Sequence, residues 1–127
     1  KGYAKSFNAN QYKTAFLSYN MDIKRAMRGS RKGACDAWFD LQIVENPNNP
    51  PHMYNHDIKT ALHYLKKAAH ESFVTAEVYL GDYYYSKHND RKAIYWFRKA
   101  STQGDYKARE YLSAILVGKP KPFILWY

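Results

Sequence analysis

Apolar side chains at Ile58, Ala61, Leu62, Leu65, Ala68 and Ala69 recur at the i, i+3, i+4, i+7 spacing of a helix with one buried stripe. A second stripe follows at Ala76, Tyr79, Leu80 and Tyr83, a third at Ala93, Ile94, Phe97 and Ala100, and a fourth at Ala108, Tyr111, Leu112 and Ile115. The pattern predicts two helix pairs, over residues 57–86 and 90–117. Between the last two stripes, Gln103-Gly104-Asp105 is the break. Gly104 suits the left-handed residue that ends a helix, and Asp105 suits the cap that starts the next.

The two pairs are copies of one another. Shifted by 32 residues, Ala61, Lys67, Ala68, Ala76, Tyr79 and Leu80 fall on Ala93, Lys99, Ala100, Ala108, Tyr111 and Leu112. Such a period signals stacked repeats, because a lone helix pair cannot bury its apolar face and needs a neighbour. The alanines let paired helices approach closely while Tyr, Trp and Phe fill the gaps. A third, degenerate copy is expected over about residues 12–46. There Ala37 and Leu41 reproduce the Ala76/Leu80 spacing, Cys35 falls on Val74 and Tyr106, and Ile23, Ala26 and Gly29 match Leu62, Leu65 and Ala68. Asp22 then stands where the signature alanine belongs. Prolines and asparagines between Glu45 and Asn55 forbid a continuing helix and set a loop over 46–56.

The run Leu80-Gly81-x-x-Tyr84, then Ala93-x-x-Trp96-Phe97-x-Lys99-Ala100-x-x-Gln103-Gly104-Asp105-x-x-Ala108, resembles the Sel1-like repeat family, a variant of the tetratricopeptide-type helical repeat. Lys-Ala followed by Gln-Gly-Asp and Ala separates it from plain tetratricopeptide repeats. Ser72 and Ser113 stand where that pattern carries glycine. The resemblance implies an all-α fold, a right-handed α-α superhelix (solenoid) of about three helix-turn-helix repeats, with residues 1–127 as one domain. It also implies a concave face that binds another protein and performs no catalysis. Family members include adaptors and scaffolds in signalling and envelope assembly, and bacterial immunity proteins that inhibit type VI secretion effectors.

Composition narrows the chemistry further. Among 127 residues, 46% are hydrophobic and 17% aromatic, so the chain can build a core. No run approaches the roughly 20 apolar residues that cross a bilayer. The sequence opens at Lys1 without an initiator Met, which suggests a mature or trimmed product in which any signal peptide would not be visible. A single cysteine, Cys35, excludes an intrachain disulfide and a cysteine-based zinc site. There is no phosphate-binding glycine loop, nucleophile elbow or His-Glu-x-x-His. His63 and His70 would share a helix face about 10 Å apart, too far for one metal ion. We therefore expect no enzyme, no metal and no cofactor.

The net charge of +9 is uneven, with eight Lys/Arg against four Asp/Glu in residues 1–46 and eight against three in residues 90–127. Lys59, Lys66 and Lys67 recur in the next repeat as Arg91, Arg98 and Lys99, giving two short basic columns on first helices. These columns are either a solvated outer face or, with His63 and Tyr95 among them, a basic and aromatic groove for an acidic protein. Lys24, Arg28 and Arg31 would form a second basic face if their helix continues that far; complementing the helix dipole is the plainer account. The tail over 119–127, with Pro120, Pro122 and then five apolar residues, is expected to cap the open end of the last repeat, with docking into a partner or a second copy of the chain as the alternative. The function expected is a protein-binding module, in its sharper form a bacterial immunity or inhibitor protein that neutralises a type VI secretion effector, periplasmic or otherwise outside the cytoplasm. An envelope adaptor in signalling, motility or secretion is the alternative, and nucleic-acid binding ranks lower because the aromatics fall at core spacing.

Overall fold

The computed structural model describes residues 9–44 and 54–118, with side chains described over 14–42 and 57–118. These residues form six helices: α1 (Ala9–Met27), α2 (Arg31–Val44), α3 (Tyr54–His70), α4 (Val74–Ser86), α5 (Asp90–Thr102) and α6 (Tyr106–Leu116). The architecture is all-α, a helix-turn-helix pattern repeated along the chain. The 46–56 loop lies mostly, and the 119–127 tail wholly, outside the described residues.

One turn is used four times. Gly29, Ser72, His88 and Gly104 all adopt positive φ, at 99°, 66°, 60° and 98°. Each donates its N–H three residues back, and the next residue donates five residues back: Ser30 to Arg25, Phe73 to Ala68, Asn89 to Tyr84 and Asp105 to Ala100, at 2.9–3.1 Å. This is the Schellman closure, which satisfies the carbonyls a helix leaves open. The residue after each left-handed position also starts the following helix. Ser30 Oγ accepts from Gly33 N at 2.8 Å, Asn89 Oδ1 from Lys92 N at 3.2 Å, and Asp105 Oδ2 from Ala108 N at 2.7 Å. Phe73 offers no side-chain cap. The expectation for Gly104 and Asp105 is met, and Ser72 takes the left-handed turn without glycine's freedom.

These turns correct the register expected for the first pair. Gly33, not Ala37, follows its left-handed residue at the distance of Ala76 and Ala108, so the match slips by one helical turn. A slip of four residues keeps the same helix face inward, which is why small-residue spacing alone could not detect it. In the corrected register Asp22 stands in the place of Leu65 and Phe97, and Arg25 in that of Ala68 and Ala100. Asp36 and Asp40 take the places of Tyr79 and Tyr83. The first pair thus carries polar groups where its relatives carry apolar ones. Arg25 Nη1 lies 2.7 Å from Asp22 Oδ1 and 3.5 Å from Asp36 Oδ2, and Lys32 Nζ lies 3.0 Å from Asp36 Oδ2.

The described residues fall into two compact units, divided within α3 between Leu65 and Lys66. In the first, α1 packs on α2 through Ala15, Tyr19, Ile23, Ala26, Ala34, Cys35, Ala37, Trp38 and Leu41, all buried. The approach is close at Gly33, where an added methyl would lie 2.9 Å from Arg25 Cβ. Tyr19 Oη donates to the Asp57 carbonyl at 3.3 Å, tying α1 to the start of α3. In the second, α4 packs on α5 and α5 on α6 around Ala76, Leu80, Ala93, Trp96, Phe97, Ala100, Ala108 and Tyr111. Tyr79 and Tyr83, expected in the core, are only half-buried.

Candidate protein-binding face

Each basic position expected to meet a partner has a definite place. Lys59 and His63 are exposed on the part of α3 that belongs to the first unit. Lys66 is half-buried at the start of the second unit. Lys67 is exposed and pairs with Glu71 at 3.8 Å across one turn of helix. On α5, Arg91, Tyr95 and Arg98 stand exposed at i, i+4 and i+7, so one side of the helix carries all three. Lys99 is half-buried.

The structure brings four of the eight together. Arg91, Tyr95, Arg98 and Lys99, with Ile94, line one open depression of about 720 Å³. Lys66 and Lys67 are not part of its wall. Arg91 and Arg98 make no ion pair among the described residues. Tyr95 is 55% exposed although its ring meets the edge of Trp96 at 4.9 Å. The depression therefore has two free guanidinium groups and an aromatic ring over an apolar floor. Such a surface is suited to carboxylates flanking an apolar group.

Behind it sits a residue that the sequence reading missed. Glu77 on α4 is fully buried, with 0% exposure. Its Oε1 accepts from Gln103 Nε2 at 2.6 Å, and its Oε2 lies 3.9 Å from Lys99 Nζ without a hydrogen-bond partner. Burial pushes the carboxyl above its ordinary range, opposed by the Gln103 hydrogen bond and the Lys99 charge. Lys99 also lies over the Trp96 ring, 5.3 Å from its centroid, and His70 meets that ring edge-on at 5.1 Å. Lys99 is thus held from two sides, while Arg91 and Arg98 are not. One signal for Glu77 was legible: it stands three and four residues before Leu80 and Gly81, on the buried side of α4.

The second basic face is corrected. Helix α1 ends at Met27, and Gly29 turns the chain before α2 begins at Arg31, so Lys24, Arg28 and Arg31 do not share one helix. Among the described residues no group of three or more His, Cys, Asp or Glu is placed to hold a metal ion, and no helix is long and apolar enough to cross a membrane.

Repeated helix-turn-helix pairs define a helical-repeat module for protein–protein interaction, non-catalytic in kind. The Sel1 repeat family model matches residues 53–73 and 74–105, and the chain carries Sel1 repeats there. The second matched block runs from the first residue of α4 to the Asp105 cap that follows α5. Neither the curated proteins nor the solved structures compared gave a match.

Proposed function

We propose that this module captures an acidic protein through the α5 face, and that it does so as a bacterial immunity or inhibitor protein bound to a secreted effector outside the cytoplasm. One observation carries the binding reading: Arg91 and Arg98 stand unpaired on either side of the exposed Tyr95. Evenly solvated charge would not gather around an aromatic ring and an apolar floor. One feature supports the immunity role, a charge of +9 that steers the chain toward an acidic target. An envelope adaptor would use the same face on a resident partner.

The test is charge reversal of Arg91, Arg98 and Lys66 to Glu, with affinity capture from the native bacterium. Circular dichroism should be unchanged, and an acidic protein held by the wild type should be lost. Co-expression with the captured protein separates the two roles, since an immunity protein relieves toxicity and an adaptor does not. Capture unaffected by reversal would reduce the face to a solvated surface. Tight binding to single-stranded RNA or DNA with a steep salt dependence would favour nucleic acid instead.

A further inference from the structure

The α5 face carries a spacing as well as a charge. Arg91 and Arg98 are seven residues apart on one helix, roughly 10 Å along its axis. Ile94 and Tyr95 fill the interval. The third cation of the depression, Lys99, is engaged by Glu77 and the Trp96 ring. What remains is a two-point positive ruler with an apolar centre.

We infer that the occupant is an α-helix with two carboxylates seven residues apart and an apolar side chain between them. This rests on the reading of α5 as the binding face and adds the shape of its partner. A helix laid alongside α5 repeats the same rise per residue, so carboxylates at i and i+7 fall opposite the two guanidinium groups. An apolar residue at i+3 or i+4 then meets Tyr95 and Ile94. An extended strand fits less well, because its same-side residues recur at about 7 and 13 Å. Glu77 sets the count of charges read, because its carboxylate holds back Lys99.

Two synthetic alanine-based helical peptides of equal composition and charge test this. One carries Glu at i and i+7 with Leu at i+4. The other carries Glu at i and i+5, which puts the carboxylates on different faces. Fluorescence anisotropy with the full chain should show the first binding roughly twofold to fivefold tighter, the gain expected from the one further exposed ion pair that only it can make. Arg91→Glu or Arg98→Glu should erase the preference, while Lys107→Glu, on exposed α6 surface, should preserve it. Equal affinities, a preference that survives the arginine reversals, or no binding of either peptide would overturn the inference. If neither peptide binds but an acidic protein is still captured in an Arg91- and Arg98-dependent way, the helical spacing is wrong and the binding face stands.

Discussion

Gly81 lies against the ring of Phe97 so closely that an added methyl would fall 2.7 Å from Cε1 and 2.8 Å from Cδ1. The ring is fully buried and tilts against Tyr111 at 5.5 Å, so it has no room to swing aside. Gly81→Ala sets a gain in helix propensity of up to about 1 kcal/mol against overpacking of about 1–3 kcal/mol. Overpacking should win. The expected outcome is a net loss of about 1–2 kcal/mol in chemical denaturation, with helical content retained in the folded state.

Ser72 gives the opposite sign. Its φ of 66° costs an L-residue about 1–2 kcal/mol, and glycine adopts it freely. Part of that gain is lost because glycine makes the unfolded chain more flexible. Ser72→Gly should therefore stabilise the protein by about 0.5–1 kcal/mol, visible as a higher melting temperature. Histidine tolerates the left-handed region better than most residues, so His88→Gly should gain less. An unchanged or lowered melting temperature for Ser72→Gly would show that the serine side chain compensates for its backbone.

The helix pairs were legible because tight turns and small residues leave strong marks, as at Gly104 and Asp105. The first pair misled because a slip of four residues preserves every inward face; only the left-handed Gly29 and the bond from Ser30 N to Arg25 O fix its register. On α5 the seven-residue spacing of Arg91 and Arg98, which puts them on one side of the helix, was legible. The state of Lys99 was not, since it depends on Glu77, 22 residues away in sequence and brought near only by packing α4 on α5.

Asp40 makes stability depend on pH. Burial first, then the hydrogen bond and charge of Asp22 and the charge of Asp36, raise its pKa from the ordinary 3.8 to about 8. Between those values the folded chain binds its proton more tightly than the unfolded chain does. The contribution is therefore fully present below about pH 4 and is lost as pH rises through about 8. Asp40→Asn supplies a neutral donor at every pH. Denaturation at pH 5.5 and pH 8 should show wild-type stability falling with pH and the variant changing less. Parallel behaviour of the two proteins would show that Asp40 is not the group that carries the pH dependence.

Cys35 should report unfolding. Burial, with help from Asp36 and opposition from Lys32, pushes its thiol up to about 12, and only 3% of the residue is exposed. Alkylation needs the thiolate and access to it, and the folded state denies both. A thiol reagent at pH 8 should react at the rate at which the first pair opens, and denaturant should accelerate it in step with loss of helix. Fast labelling without unfolding would mean that α1 and α2 separate locally.

The last prediction concerns Glu77, where two effects of charge separate. A buried carboxylate forfeits solvation, and a partner at 3.9 Å returns only part of it. Glu77→Gln keeps the shape and an oxygen that can accept from Gln103, so stability at neutral pH should hold or rise. Glu77→Ala leaves a cavity and an unpaired Gln103 amide, and should cost about 2 kcal/mol or more. Binding should move differently. Removing the negative charge leaves the Lys99 ammonium, which already lines the depression, without its offsetting carboxylate, so Glu77→Gln should bind an acidic peptide more tightly and with greater salt sensitivity than wild type. Glu77→Gln/Lys99→Met should return both quantities to near the wild-type level. If Glu77→Gln weakens binding instead, the carboxylate is holding Lys99 in a useful position, and the buried pair serves the face by placing a charge in it.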